Sequence, residues 1–158
     1  MENLRFGILS TSSIAPRFIA AVRAANGGKI VAVSSRTLQK AEEKAAAWDI
    51  PKAYGSHEEL LRDENVNIVY ISAVNAAHYP LAKASLEAGK HVLCEKPLAL
   101  TREDIKDIVE AAEKYDAKFM VGQICRFTPG FLKAKEIIDS GVIGEVYFVE
   151  SEYAHDYV

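Results

Sequence analysis

The sequence has few of the features that mark secreted, membrane-spanning and metal-binding proteins. Its two cysteines, Cys94 and Cys125, lie in or beside apolar stretches, with neither a CxxC motif nor a Cys/His spacing typical of a metal site. We therefore expect reduced thiols, a cytoplasmic protein and no metal centre. No apolar run approaches the roughly 20 residues that span a membrane. Met1 leads almost directly into a predicted strand, so no leader peptide is expected.

Strong net charge is absent as well. The formal net charge of the 158 residues is −3, which gives no reason to expect a nucleic acid or an anionic membrane as a partner. Hydrophobic residues make up 49% of the chain and charged residues 26%, a composition that indicates a soluble globular protein. This length suffices for one domain with a proper core and is marginal for two.

Short apolar runs alternate with segments of helical periodicity over the first 122 residues. The runs predict strands at residues 4–9, 30–34, 66–72 and 118–122, and a further strand that begins at His91. Helices are predicted at residues 14–25, 37–48, 56–61, 77–88 and 101–115, with Thr37, Ser56 and Thr101 at the N-caps. This alternation predicts an α/β fold with a doubly wound parallel sheet, the Rossmann fold.

The pattern changes after Gly122. A helix at residues 131–140 is followed by a predicted strand at residues 146–153 that has no later strand to pair with. Because an unpaired apolar strand edge invites aggregation, residues 123–158 predict a linker helix and the first strand of an incomplete C-terminal α+β domain. Residues 1–122 would form the dinucleotide-binding domain, and we expect the chain to be a piece of a longer protein.

The turn after the first predicted strand stands where dinucleotide-binding folds carry the fingerprint G-x-G-x-x-G/A. Only Ala15 matches, because serines replace both glycines. Backbone N–H groups at a helix N-terminus still attract a diphosphate, and hydroxyl groups can add hydrogen bonds. The alternative is an ordinary serine-rich turn. The candidate diphosphate-binding residues are Ser10, Thr11, Ser12, Ser13 and Ile14.

The end of the second predicted strand indicates which dinucleotide would bind. NAD enzymes often place an acid there, which binds the ribose 2′-hydroxyl. Here Ser35 and Arg36 follow the strand instead, and Lys40 lies one helical turn further on. A guanidinium group pairs well with a phosphate, so this pattern favours NADP(H), with NAD(H) as the alternative. A solvated surface arginine is the other interpretation.

Two further strand ends carry candidate residues. Small residues such as Ala73 after the strand at 66–72 would let a ribose or flat ring approach, with Asn75 a candidate N-cap and His78 in the first helical turn. The strand that begins at His91 ends in Glu95-Lys96-Pro97. Ligands of open α/β sheets bind at such strand ends, so Lys96 is well placed for chemistry. A solvated Glu–Lys pair is the alternative.

Together these segments resemble the N-terminal half of the Gfo/Idh/MocA oxidoreductases, the family of glucose-fructose oxidoreductase and inositol dehydrogenase. The resemblance covers almost the whole chain, and the fingerprint turn departs from the family pattern. It is carried by residues 7–15 (GILSTSSIA), Ser34 to Arg36, Asn75 with His78, residues 88–97 (AGKHVLCEKP), residues 126–129 (RFTP) and residues 141–146 (GVIGEV).

The resemblance implies roles for several residues. Lys96 would be the catalytic residue beside the nicotinamide and the reacting hydroxyl, while Glu95 and Pro97 would shape the nicotinamide pocket. Arg126 would reach the cofactor from the domain junction, and Ser35 with Arg36 would bind the adenosine ribose. Ala73, Asn75 and His78 complete the cofactor set. The substrate would be an alcohol carbon of a sugar, polyol or similar small molecule.

A second domain of the family supplies an Asp and a His for catalysis, and the sequence offers no match for that pair. His155 and Asp156 come too early and too close together. Two hypotheses therefore remain. The chain is either the NADP-binding part of an oxidoreductase, inactive alone, or a non-catalytic nucleotide-binding or regulatory module. The second hypothesis predicts a homo-oligomer that associates through the strand at residues 146–153.

Overall fold

A computed structural model describes residues 3–152 and residue 154 of the chain. The chain divides into two compact units, Met1–Gly122 and Gln123–Val158. Each unit is described by itself below. His155 and Asp156, and the end of the strand expected at residues 146–153, lie outside the described residues.

The first unit is built on a single parallel sheet. Its strands are β1 (Leu4–Leu9), β2 (Gly28–Ser34), β3 (Lys52–Tyr54), β4 (Ile68–Ile71), β5 (His91–Cys94) and β6 (Phe119–Val121). They lie in the order β3-β2-β1-β4-β5-β6, and every adjacent pair is parallel. The strand order reverses between β1 and β4, which is the point where ligands bind in such sheets. The doubly wound Rossmann fold predicted from the sequence is confirmed.

Helices cover both faces of this sheet. They are α1 (Ala15–Ala24), α2 (Leu38–Trp48), α3 (His57–Leu61), α4 (Asn75–Glu87) and α5 (Arg102–Lys114). Successive strand residues point to opposite faces, so Leu9 and Ile71 enter one apolar cluster while Ile8 and Tyr70 enter the other. Strands buried on both faces explain why the apolar runs in the sequence are continuous rather than alternating.

The helix starts were predicted well in three cases and wrongly in one. The side chains of Thr37, Ser56 and Thr101 each accept a hydrogen bond from the backbone N–H three residues further on, as N-caps do. Asn75, expected as an N-cap, is instead the first residue of α4. The N-cap of that helix is Val74, which makes no side-chain capping bond.

One strand was missed. The three residues of β3 lie between Pro51 and Gly55 and pair with the end of β2 at the edge of the sheet. Such a short run between two turn-forming residues carries no periodicity that a sequence pattern could detect. Because β3 was not predicted, the start of α3 was not recognised as a place where a helix follows the end of a strand.

The second unit contains a 3₁₀ helix, Ile124–Phe127, and helix α6, Pro129–Asp139. The strand expected at residues 146–153 is wrong for residues 146–152, which form no strand. A strand exists only when a neighbour supplies the ladder of hydrogen bonds, and the described residues supply none here. In the described part of the chain, no helix is long and apolar enough to cross a membrane.

Candidate functional site

A cleft of about 370 Å³ opens at the carboxyl ends of β1, β2 and β4, where the strand order reverses. Seven of the predicted cofactor-binding residues line it, drawn from three separate strand ends. The lining residues are Ser10, Thr11, Ser12, Ser35, Arg36, Lys40, His57, Ser72, Ala73, Val74 and Ala77. Residues up to 67 positions apart in the chain thus meet in one site, as the topology of a doubly wound sheet requires.

The turn after β1 has, at its first residue, a backbone conformation typical of glycine, although that residue is Ser10. Ser10 has a φ of 103°, a value that L-residues rarely adopt, and its N–H donates a 3.2 Å hydrogen bond to the carbonyl oxygen of Ser34. Neither Ser12 nor Ser13 has a positive φ. The tight turn of the dinucleotide fingerprint is therefore formed, and the strain is confined to Ser10.

Two hydroxyl groups in this cleft have unmet hydrogen-bonding capacity. The Oγ atoms of Ser12 and Ser72 are buried and have no hydrogen-bond partner within the described residues. Both residues line the cleft. Buried polar groups are normally hydrogen-bonded, so these two hydroxyls call for a polar ligand. Ser12 lies in the turn that leads into α1, whose N-cap Ile14 provides no side-chain oxygen, and the N–H of Ser72 donates to the carbonyl oxygen of Leu9 just before that turn. This donor set fits the diphosphate of a dinucleotide.

The outer end of the cleft is cationic. Arg36 and Lys40 are exposed, and neither side chain has an ion-pair partner in the part of the chain that the structure describes. Ser35 beside them is buried, and its N–H donates a 3.2 Å hydrogen bond to the carbonyl oxygen of Tyr54 on β3. No carboxylate lines the cleft among the described residues. Two cations without an acid are suited to a phosphate rather than to a ribose hydroxyl alone.

His57 is a cleft residue that the sequence analysis did not identify. It is the first residue of α3, and its Nδ1 lies 2.8 Å from the Oγ of Ser34, the last residue of β2. Burial lowers the pKa of its imidazole below the usual 6.5, against the opposing charge of Glu58, so the ring is neutral at pH 7. Had β3 been recognised in the sequence, His57 would have been a candidate, because it directly follows the N-cap Ser56 of the helix that comes after that strand.

Glu95 is held at the end of β5 by its neighbours in β4. Its backbone N–H donates a 2.9 Å hydrogen bond to the carbonyl oxygen of Ile71, and its Oε1 accepts a 2.8 Å hydrogen bond from the Tyr70 hydroxyl. The Tyr70 ring stacks on Phe18 of α1, with 3.8 Å between the ring centroids. Burial, followed by the bond to Glu95, raises the pKa of the Tyr70 hydroxyl, which therefore stays protonated as a donor.

Lys96 has a different environment. Its side chain is exposed and has no hydrogen-bond or ion-pair partner within the described residues, and the Lys96–Pro97 peptide bond is cis. The described contacts include no ion pair between Glu95 and Lys96, and Oε1 of Glu95 accepts its hydrogen bond from Tyr70. The ammonium group is thus free to meet a ligand, while the backbone before it is anchored.

The remaining predicted residues lie outside the lining of this cleft. His78 is fully buried in α4, and its two ring nitrogens lie 2.6 Å from the carbonyl oxygen of Pro97 and 3.0 Å from that of Ala73. Asn75 and Ser13 are exposed, and Ile14 is half-buried. Arg126 is exposed in the 3₁₀ helix of the second unit. The roles expected for these four residues and for His78 remain predictions.

The fold and the cleft define a dinucleotide-binding protein. Residues 4–123 match the sequence model of the Gfo/Idh/MocA oxidoreductases, described as an oxidoreductase family with an NAD-binding Rossmann fold. The match covers well over half of the 158 residues, and the chain belongs to this family.

Individual relatives agree with this assignment. The chain is 35% identical over 151 residues to trans-1,2-dihydrobenzene-1,2-diol dehydrogenase of Xenopus laevis. This match covers 94% of this chain and 46% of that protein. An NAD-binding oxidoreductase from Klebsiella pneumoniae superimposes with a TM-score of 0.86 at 34% identity, over 91% of this chain and 40% of its own. The chain thus spans less than half the length of either protein.

A third relative was solved with a cofactor. KijD10, a 3-ketoreductase from Actinomadura kijaniata in complex with TDP-benzene and NADP, superimposes with a TM-score of 0.82 at 26% identity. The match covers 91% of this chain and 46% of that protein. A protein with this fold therefore binds NADP, and the chain belongs to an oxidoreductase family whose cofactor is a nicotinamide dinucleotide.

Proposed function

We propose that this chain is the cofactor-binding part of an NADP(H)-dependent oxidoreductase that acts on an alcohol group of a sugar, polyol or similar small molecule. The observation that carries the NADP(H) preference is the pair Arg36 and Lys40 in a cleft without a carboxylate. NAD(H) is the alternative cofactor. The two free thiols, Cys94 and Cys125, support the cytoplasmic location that belongs to this proposal.

The residues of the cleft divide the binding of the cofactor between them. The serine turn and the start of α1 would hold the diphosphate, with Ser12 and Ser72 donating their unpaired hydroxyls. Arg36 and Lys40 would hold the 2′-phosphate of the adenosine ribose. When bound, the nicotinamide supplies hydride chemistry. Lys96 is exposed and has no partner among the residues that the structure describes, so it is available to hold a proton at Nζ for a reacting oxygen.

The substrate class follows from the relatives, since this chain spans less than half of their length. Their names include a dehydrogenase of a dihydrodiol and a 3-ketoreductase, and the substrates of both are alcohols or the corresponding ketones. We propose the same reaction class here, with the substrate pocket supplied by a further domain. Arg126 keeps its proposed role as a cofactor-binding residue.

Calorimetry with NADPH and NADH tests the cofactor assignment directly. We expect NADPH to bind more tightly, and Arg36→Ala to weaken NADPH by about tenfold or more because a charge-assisted bond is lost, while NADH changes little. Arg62→Ala is the matched control, since Arg62 is exposed at the end of α3 and does not line the cleft. Equal losses for both nucleotides would contradict the assigned role of Arg36.

A non-catalytic binding or regulatory module is the second candidate, favoured by one observation. Serine at both glycine positions of the fingerprint adds side-chain atoms where the backbone approaches a pyrophosphate. This candidate predicts a stably folded chain that binds neither nucleotide and self-associates, which calorimetry and size-exclusion chromatography of the whole chain would reveal. Measurable NADPH binding by the wild-type chain would exclude a module that has lost its cofactor.

A further inference from the structure

We propose that His78 is a positioning residue for the nicotinamide half of the site. Its ring fixes the backbone at Pro97, and thereby the place of Lys96, without contacting the cofactor. This inference rests on the proposed function, because it assumes that the strand ends of β4 and β5 receive a nicotinamide dinucleotide. It revises the expectation that His78 is itself a cofactor ligand.

The His78 ring connects the segments that follow two adjacent strands. Its exposed fraction is 1%, so it is shielded from solvent on the inner side of α4. Nε2 lies 3.0 Å from the carbonyl oxygen of Ala73, which follows β4 and lines the cleft. Nδ1 lies 2.6 Å from the carbonyl oxygen of Pro97, which follows β5. One buried side chain thus spans the two segments at the end of the sheet where the cofactor would lie.

Both partners of the ring are carbonyl oxygens, which accept hydrogen bonds and cannot donate them. A ring with one N–H group can donate to only one of the two carbonyls at a time, whereas a ring with two N–H groups can donate to both. The shorter contact favours Nδ1–H donated to the oxygen of Pro97. A cofactor group that took over this nitrogen would leave the Pro97 carbonyl without its donor, which argues against direct contact.

Lys96 lies between two anchored residues. On one side, Glu95 is held by the Ile71 carbonyl and by the Tyr70 hydroxyl. On the other side, Pro97 is held by His78. The Lys96 side chain itself has no partner within the described residues, so its location depends on the backbone on either side. Losing the His78 bond would release one of these two anchors.

Two substitutions separate the two contacts of the ring. In His78→Asn, the side-chain amide nitrogen lies near the place of Nδ1 and can still donate to Pro97. In His78→Gln, it lies near the place of Nε2 and can donate only towards Ala73. Both variants remove the ring and leave similar cavities, so each is the matched control of the other.

The probes are NADPH and 2′,5′-ADP, which carries the phosphorylated adenosine half without the nicotinamide. Calorimetry gives both affinities, and the fluorescence of bound NADPH reports the environment of the nicotinamide. We expect His78→Gln to bind NADPH about tenfold more weakly and to lose the fluorescence change, while its affinity for 2′,5′-ADP stays within about twofold of wild type. His78→Asn should retain both NADPH properties.

Three results would each overturn the proposal. His78→Gln could lose affinity equally for NADPH and 2′,5′-ADP, it could lose no affinity for NADPH, or the two variants could behave alike. Histidine ¹⁵N NMR on the wild-type chain provides a second test that needs no variant. The Nδ1 resonance of His78 should shift when NADPH is added and not when 2′,5′-ADP is added, and equal shifts would overturn the proposal. A wild-type chain that binds neither ligand would instead refute the proposed function.

Discussion

The hydroxyl of Tyr70 donates a 2.8 Å hydrogen bond to Oε1 of Glu95, the residue that precedes Lys96. The same Tyr70 ring stacks on Phe18 of α1, the helix that begins after the serine turn. The middle of β4 therefore contacts both the helix that follows the serine turn and the residue that precedes Lys96. Helix α1 and the Glu-Lys-Pro segment are joined through one tyrosine.

Replacing Tyr70 by phenylalanine isolates the hydrogen bond from the ring stack. Phenylalanine can still stack on Phe18 but leaves the partly buried Glu95 carboxylate without its donor. We expect the free energy of unfolding to fall by about 1.5–3 kcal/mol, as for a hydrogen bond to a charged group. Urea denaturation measures it. In a double-mutant cycle with Glu95→Ala, which removes the acceptor, fully additive effects would show that the two side chains are not coupled.

Ser10 offers a stabilising substitution. Its φ of 103° suits glycine, which has no Cβ, whereas serine is strained there. We expect Ser10→Gly to raise the free energy of unfolding by up to about 1 kcal/mol, because relief of strain exceeds the entropy that glycine adds to the unfolded chain. Affinity for NADPH should be kept or improved.

Ser13→Gly is the matched control for this measurement. Ser13 lies in the same turn but has no positive φ, so glycine there relieves no strain and should lower the free energy of unfolding slightly. Both variants are compared with the wild type by thermal and urea denaturation. If the two glycines had the same effect, the strain assigned to Ser10 would be absent.

The fold was predictable because the sheet is buried on both faces. Continuous apolar runs specify the strands locally. Threonine and serine N-caps specify the helix starts locally, so Thr37, Ser56 and Thr101 were assigned correctly. The edge strand β3 was not predictable, since its three residues owe their conformation to pairing with β2. The strand expected at residues 146–153 is absent from residues 146–152 for the converse reason, because apolar residues without a partner form no ladder.

The site was predictable only in part. Ser35, Arg36 and Lys40 follow a strand in the sequence, so their place at the sheet edge could be inferred. Two other contacts depend on the packing of adjacent strands and could not be inferred. They are the bond of His78 to Pro97, 19 residues away, and that of Tyr70 to Glu95, 25 residues away. Equally, the sequence could not show that Ser10 adopts the backbone of the glycine it replaces.

Replacing each of two lysines near the same strand should have a different effect on stability. Lys90 is 9% exposed, and its Nζ donates hydrogen bonds to the carbonyl oxygens of Asp63 and Val66, whereas Lys96 is exposed and unpaired. We expect Lys90→Met to lower the free energy of unfolding by about 1–3 kcal/mol, because it removes the Nζ donor from the buried carbonyl of Val66 and one of the two donors from the carbonyl of Asp63. Lys96→Met should change it by no more than about 0.5 kcal/mol.

Urea denaturation of both methionine variants measures this difference. Methionine keeps most of the aliphatic stem of lysine and removes the charge, so the two substitutions are chemically identical. A Lys96→Met variant as destabilised as Lys90→Met would show that Lys96 has a structural role, and would weaken its assignment as the proton-handling residue of the site.

His57 makes the stability of the chain depend on pH in a defined direction. Burial lowers the pKa of its ring below 6.5, so between the lowered value and 6.5 the unfolded chain binds more protons at this residue than the folded chain. The free energy of unfolding therefore decreases as the pH falls through this window. Well above pH 6.5 the ring is neutral in both states and contributes no pH dependence.

Replacing His57 by asparagine should remove this contribution. Asparagine can still form a hydrogen bond with the Oγ of Ser34, which lies 2.8 Å from Nδ1 in the wild type, as either donor or acceptor, but it does not titrate. Denaturation at several pH values from about 5 to 8 should show a shallower decline for the variant below pH 6.5, since all other titrating groups are shared. Parallel curves for the two proteins would mean that burial does not perturb His57, and that the cleft is open to solvent at this residue.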